Sequence, residues 1–232
     1  MSISIFVRLA DFLAPRRCPV CGGRLQVQEE TICAQCNLHL PRTGFSRDAF
    51  DNEMARLFWV QLPIERAAAL IFYTPKAEAT HFIHQLKYAN QPEIGEQMGW
   101  LTAREMAADH FFDGIDVIVP IPLAPKRERE RGYNQSLMIA RGVSRATGIP
   151  VESRAVRRKT YGGSQTQKGR WERRENVTDA FQLVDGRRIA GKHVLLVDDV
   201  VTTGATAIAC GQQLAKAGNV RISILSLGFT KG

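Results

Sequence analysis

Residues 194–206, VLLVDDVVTTGAT, restrict this chain more than any other stretch, because a buried strand must end in two carboxylates and turn at once into a helix. His193 to Val197 reads as a fully buried strand, a short run of β-branched and leucine residues. Asp198 and Asp199 follow at its C-terminal end, where open α/β sheets place their ligands. Thr202, Thr203, Gly204, Ala205 and Thr206 then lead into the apolar helix AIACGQQLAKAG, ended by Gly218. Small hydroxyl residues and a glycine at a helix start suit a 5′-phosphate. Backbone N–H groups point at the anion, threonine hydroxyls add donors, and Gly204 admits close approach. Two carboxylates would repel that phosphate unless they face the ribose hydroxyls or a Mg²⁺ near them. The plainer reading is helix capping, which Asp and Thr both favour. Adjacent carboxylates on a buried strand are costly without a hydroxyl or cation partner, and this favours a ligand. Cys210, within the helix, reads as core packing.

The chain of 232 residues, 44% hydrophobic, is long enough for one α/β domain and a small accessory module. No apolar run approaches the roughly 18 residues of a membrane helix. The opening MSISIFVRLADFL is broken by Arg8 and Asp11 and has no basic stretch before it, unlike a secretory signal. It reads instead as an amphipathic helix with Ile3, Phe6, Val7, Ala10 and Leu13 on one face. The expectation is a soluble cytoplasmic protein without membrane insertion.

Four of the five cysteines form two close pairs, Cys18-Pro-Val-Cys21 and Cys33-Ala-Gln-Cys36. A C-x-x-C pair presents both sulfurs to one metal, and two pairs close a tetrahedral structural Zn²⁺ site. Two disulfides are the alternative, and a reducing cytosol disfavours them. Such a knuckle cannot bury a core of its own, and the metal replaces one. Zinc modules serve nucleic-acid contact, protein contact or stability, and these residues do not choose among them. The expected division is residues 1–60 for the first helix and four-cysteine module and 61–232 for the main domain.

The net charge is +8, and residues 151–176 alone hold eight Lys/Arg against three Asp/Glu. A stretch this basic either meets something anionic or forms a solvated loop. IDVIVPIPL reads as a strand that Pro120 and Pro122 stop after Val119. A basic loop with Lys126, Arg127, Arg129 and Arg131 follows, then a helix ending at Gly148. A basic loop at a strand end is where a diphosphate would be held; the plainer reading is a charge-alternating turn. Beyond it, a strand, a long basic loop from about Lys159 to Glu175 and a return strand suggest a lid. Its Arg170 and Arg173 would join the diphosphate, while its Tyr161 and Trp171 would suit stacking on single-stranded DNA. Residues 65–112 would supply a hood over the core at 113–232, with a strand at AALIFYTP and helices carrying His81, His84 and Lys87. His81 and His84 share a helix face but lack a third ligand nearby, so they read as surface or core histidines. Lys87 either reaches the site or is a helix-end charge.

VLLVDDVVTTGAT is similar to the signature of type I phosphoribosyltransferases, which bind 5-phosphoribosyl 1-diphosphate (PRPP). With CPVC…CAQC, HFIHQLKYANQPEIGEQMGWLTA, VPIPL…KR…RGYNQS and RRKT…SQTQKGRWERRENVTDAF, in that order, the chain resembles the ComF/GntX family of phosphoribosyltransferase-like proteins. Lys168-Gly169 stand where that family more often has Leu-Ser. The resemblance implies a type I phosphoribosyltransferase-like (Rossmann-like) α/β fold, a mostly parallel sheet flanked by helices, with a small N-terminal zinc module held by the four cysteines. It implies that Asp198 and Asp199 contact the ribose hydroxyls, and that Val201, Thr202, Thr203, Gly204, Ala205 and Thr206 cradle the 5′-phosphate. Lys126, Arg127 and Arg131 would meet the diphosphate, with Mg²⁺ offsetting its charge. The catalytic set would be Asp198, Asp199 and Arg127, the acceptor being unassigned. Natural competence and DNA utilisation follow from the family, with single-stranded DNA and competence proteins as partners. Two further readings stand beside a Mg²⁺-dependent transferase: a PRPP- or nucleotide-sensing, DNA-handling factor without turnover, and a zinc-stabilised adaptor of the competence machinery.

Overall fold

A computed structural model describes residues 15–75, 77–159 and 180–231. The expected first helix and the lid residues Tyr161, Lys168, Gly169, Arg170, Trp171 and Arg173 lie outside the described residues. In chain order the elements are α1 (Ala34–His39), α2 (Glu53–Arg56), β1 (Arg66–Phe72), α3 (His81–Tyr88), α4 (Pro92–Ala107) and β2 (Val117–Pro120). They continue with α5 (Pro125–Arg131), α6 (Gln135–Thr147), β3 (Val156–Arg158), β4 (Phe181–Leu183), β5 (His193–Val201), α7 (Ala205–Ala215) and β6 (Arg221–Phe229).

Four strands form a parallel sheet in the order β1-β6-β5-β2, and β3 pairs with β4 antiparallel as a separate ribbon. This is the α/β architecture the sequence predicts, with the four-cysteine module beside it. Side chains alternate between two cores because strand residues alternate between faces. Leu195, Val197, Leu225 and Leu227 pack on one face with Met98, Ile139 and Val143 of α4 and α6. Val194, Leu196, Ile222 and Ile224 pack on the other with Met54 of α2, Phe58, and Ile208 and Leu214 of α7. α4 and α6 approach backbone to backbone: a Cβ on Gly99 would strike the carbonyl of Ile139, and one on Gly142 the carbonyl of Glu96. The cysteine module shares the first core, where Val20, Leu25, Ile32 and Leu40 are buried with the sheet residues.

Three elements depart from their expected bounds. β5 continues past Val197 to Val201, because β6 is long enough to pair Asp198 with Ser226 and Val201 with Phe229. The twin aspartates therefore stand within a hydrogen-bonded strand. β2 includes Pro120, paired in register with Val197; as the edge of the four-stranded sheet it tolerates the missing donor. The segment expected as a basic loop is instead the short helix α5. Pro125 opens it with φ already set for a helix, and Gly132, at φ 80°, closes it. Between these caps the alternating Lys, Arg and Glu are good helix formers, and none of the helix is buried.

Candidate functional site

The C-terminal end of β5 meets the start of α7 at Gly204, which sits at φ 74°. A side chain there would be strained by the backbone and would press a Cβ to 3.0 Å from the Phe58 ring. The loop is thereby held against the core while Thr202 and Thr203 stay exposed. Asp198 and Val200 through Ala207 line a small cavity of about 40 Å³ at this turn. Above it, the first N–H groups of α7 have no partner within the helix, the arrangement that receives an anion. The Thr230 hydroxyl is buried without a hydrogen-bond partner, and its own backbone N–H donates to the carbonyl of Val201 at 2.9 Å.

The aspartates are differently placed. Asp198 Oδ1 accepts from Ser136 Oγ of α6 at 3.2 Å and from the backbone N–H of Asp199 at 2.9 Å. Burial, then the neighbouring Asp199 carboxylate, pushes Asp198 up to about 7. Asp199 Oδ2 lies 3.3 Å from the ammonium of Lys87, both side chains being largely covered. Lys87 thus stands at the acidic pair, and its ammonium acts on both carboxylates. Burial pushes the Cys210 thiol up, with Asp198 contributing. Cys210 is wholly buried within α7, as core packing requires.

A second cavity of about 780 Å³ opens beside Lys87 and is lined by Tyr88, Arg127, Arg129 and Arg131, with Glu130 the acid among them. Arg131 donates to Gln135 Oε1 at 2.8 Å and lays its guanidinium 5.3 Å from the centre of the Tyr88 ring. Among the described residues no hydrogen bond or ion pair reaches Lys126, Arg127 or Arg129, all exposed on α5. The structure therefore gathers Asp198, Asp199 and Val201 to Thr206 at one turn, and Arg127 and Arg131 around the adjoining cavity. Lys126 does not line that cavity, and Arg170 and Arg173 lie outside the described residues.

Sequence reasoning missed Ser136 and left Lys87 open. Ser136 falls within the RGYNQS motif, as the second residue of a helix capped by Asn134, but nothing in that pattern points it at the aspartates. His81 and His84 are exposed and stack with ring centres 5.8 Å apart. The only metal-ligand cluster among the described residues lies elsewhere.

That cluster is Cys18, Cys21, Cys33 and Cys36, whose sulfurs all lie within 4.8 Å of one another. Cys21 and Cys33 are 3.8 Å apart at sulfur, and all four are free thiols. Sulfurs about 2.3 Å from a shared tetrahedral centre stand about 3.8 Å from one another, so the donor set fits Zn²⁺. Gly22, at φ 73°, turns the first knuckle, where its N–H donates to the Cys18 carbonyl at 2.8 Å. Backbone N–H groups of Cys33 and Cys36 donate to the sulfurs of Cys18 and Cys33, each at 3.4 Å.

Fold and site together define a class, a parallel α/β protein whose threonine-rich loop and acidic pair share one strand end, with a four-cysteine module packed alongside. No protein-family model matches the chain. It is 30% identical over 218 residues to the DNA utilization protein YhgH of Escherichia coli (strain K12), covering 90% of this chain and 88% of that one. It is 25% identical over 221 residues to competence protein F of Haemophilus influenzae, covering 91% and 96%. The chain belongs to the family of YhgH and competence protein F, the ComF family its motifs resemble. Among solved structures it is similar to the glutamine phosphoribosylpyrophosphate amidotransferase from B. subtilis (24% identity, TM-score 0.42), over 61% of this chain and 30% of that one. Among the described residues no helix is long and apolar enough to cross a membrane.

Proposed function

We propose that the β5–α7 turn binds the phosphoribosyl group of PRPP and that the protein uses this site in the uptake or utilisation of DNA. The observation that carries this reading is the Asp198–Asp199 pair, set one turn from an N–H-rich helix start and partly neutralised by Lys87. Asp198 and Asp199 accept hydrogen bonds from the ribose 2′- and 3′-hydroxyls. The amides and hydroxyls of Val201 to Thr206 take the 5′-phosphate. Arg127 and Arg131, with Lys126 nearby, meet the diphosphate. Mg²⁺ supplies countercharge to that diphosphate, and two carboxylates plus substrate phosphates are the donors such an ion takes. Zn²⁺ in the Cys18, Cys21, Cys33 and Cys36 cluster holds the N-terminal module. The DNA role is supported by the relatives' names, DNA utilization protein and competence protein.

For a transferase, the chemistry is displacement of diphosphate from C1 of the ribose. This chain's residues then contribute by holding the sugar still and stabilising the leaving charge, which is positioning and electrostatics. The acceptor is unassigned, and the same residues serve a PRPP-sensing protein without turnover.

Calorimetric titration of PRPP with Mg²⁺ present tests the reading. Wild-type protein gives a saturable signal, and Asp199→Asn weakens binding about 10- to 100-fold through loss of charge-assisted hydrogen bonds. Unchanged affinity in that variant would remove the acidic pair from the ligand site. Diphosphate release in the presence of bases and amines then separates a transferase from a sensor.

A further inference from the structure

We propose that Thr230 is a further binding residue of the β5–α7 turn, its buried hydroxyl held in reserve as a hydrogen-bond donor to the 5′-phosphate of the phosphoribosyl ligand. The inference rests on the proposed function and adds to it a residue from a neighbouring strand. Thr230 follows directly on β6, whose last residue, Phe229, pairs with Val201 of β5. Its backbone N–H donates to the Val201 carbonyl at 2.9 Å, which fixes it level with the first residue of the turn. Its hydroxyl is buried without a hydrogen-bond partner, alone in this among the buried side-chain polar groups of the described residues.

That state is unfavourable, because a hydroxyl taken out of water without a partner loses hydrogen bonds that it does not regain. Elsewhere the chain satisfies its buried hydroxyls. Thr80 donates to the Thr74 carbonyl at 2.8 Å, and Thr102 to the Met98 carbonyl at 2.7 Å. Ser226, on β6 itself, donates to the Gly228 carbonyl at 2.9 Å, and Ser223 meets His193 Nε2 at 2.8 Å. The exception falls at the C-terminal end of the parallel sheet, beside the open start of α7, where a ligand is received. A donor with no partner in the free protein gives an incoming acceptor its full strength and has no earlier bond to break. Its position selects the part of the ligand. Val201 stands three residues beyond Asp198 on β5, roughly 10 Å along the strand. An acceptor at Thr230 therefore lies clear of the carboxylates, as an anionic phosphate must, while the ribose hydroxyls lie beside them. Thr202 and Thr203 are exposed, so they can give way as the phosphate settles against the hydroxyl.

The test compares wild type, Thr230→Val and Thr230→Ser by urea unfolding without ligand and by calorimetric titration. The titrants are ribose 5-phosphate, PRPP with Mg²⁺, and inorganic diphosphate with Mg²⁺. Valine keeps the shape of the side chain and removes the hydroxyl. Thr230→Val is expected to bind ribose 5-phosphate and PRPP about 10-fold more weakly, the loss of a hydrogen bond to a charged group. Thr230→Ser should stay close to wild type, and the diphosphate titration should not change in either variant. Free Thr230→Val should unfold at a urea midpoint equal to or above that of wild type, because it has lost an unpartnered polar group. A purely structural hydroxyl would give the reverse, a lower midpoint with ligand affinity kept. The proposal is overturned if Thr230→Val binds ribose 5-phosphate as wild type does, or if diphosphate binding weakens equally. It is also overturned if the midpoint of Thr230→Val falls or the variant does not fold. Those outcomes leave the phosphoribosyl reading standing as long as wild type binds PRPP. Wild type that binds neither PRPP nor ribose 5-phosphate overturns both, so the two failures are distinguishable.

Discussion

The molecule concentrates acidic groups twice, and the two places solve the same problem by different means. In the N-terminal module four sulfurs lie within 4.8 Å of one another, a donor set that a metal ion fits. Burial and the neighbouring sulfurs push the Cys36 thiol up, and a thiol that ligates a metal gives up its proton on binding. At the end of β5 the protein supplies its own cation, Lys87, on one carboxylate, while burial raises the other toward neutrality. Under the proposed function the four sulfurs leave their charge to a resident metal, while the acidic pair keeps its charges provisionally matched and exchangeable for a visiting ligand.

The largest effect should therefore come from the cysteines. Cys21→Ser, or chelation of the wild type, is expected to abolish stoichiometric zinc and lower the melting temperature by more than about 10 °C. The loss spreads because Val20, Leu25, Ile32 and Leu40 are buried in the same core as the sheet. Metal analysis and thermal melting check it. A metal-free variant that melts like wild type would make the two charge clusters equivalent and end the contrast.

The next effect has the opposite sign. Asp198 holds its proton up to about 7 in the folded chain against an ordinary value of 3.8. Its protonated form is therefore favoured by folding. That stabilisation is complete below about 4 and is lost as the pH rises through about 7. Ionised Asp198 then strains the site by at most about 4 kcal/mol, and we expect about 2 after relaxation. Asp198→Asn should raise the melting temperature by several degrees at a pH of about 8.5, by roughly a third as much near pH 5 and hardly at all below about pH 4, while weakening PRPP binding. Melting curves across that range measure it. A gain that does not depend on pH would mean that charge is not the cost of this position.

What the sequence disclosed, and what it hid, follows the same division between local and distant determinants. The strand-to-helix turn was legible because its strand, carboxylates, threonines and glycine are contiguous, and each acts on its immediate neighbours. The cysteine cluster was legible because C-x-x-C spacing by itself puts two sulfurs together. Lys87 and Ser136 were not, since each reaches the aspartates from another element. Only the packing of α3 and α6 on the sheet brings them there. The extent of β5 was hidden for the same reason, because its last pairs are set by the length of β6. α5 was misread as a loop because a seven-residue helix with no buried side chain has no hydrophobic period to reveal it; its caps, Pro125 and Gly132, were the available signal.

The smallest effect tests the contrast most directly. Lys87 and Asp199 are 22% and 15% exposed, so their pair is neither a screened surface contact nor a fully desolvated one. Lys87→Met leaves Asp199 without its cation and brings two carboxylates face to face. A loss of about 1 kcal/mol is expected, read as a lower urea midpoint with an unchanged slope, and Lys87→Arg should recover most of it. Combined with Asp199→Asn in a double-mutant cycle, the pair should show a coupling of about the same size. The cycle matters because Lys87 also acts on Asp198, and a single substitution mixes the two carboxylates. Zero coupling would mean that Lys87 merely lies beside Asp199. The acidic pair would then be as dependent on an outside cation as the four cysteines, and a metal held by the protein itself would become the better account of the turn.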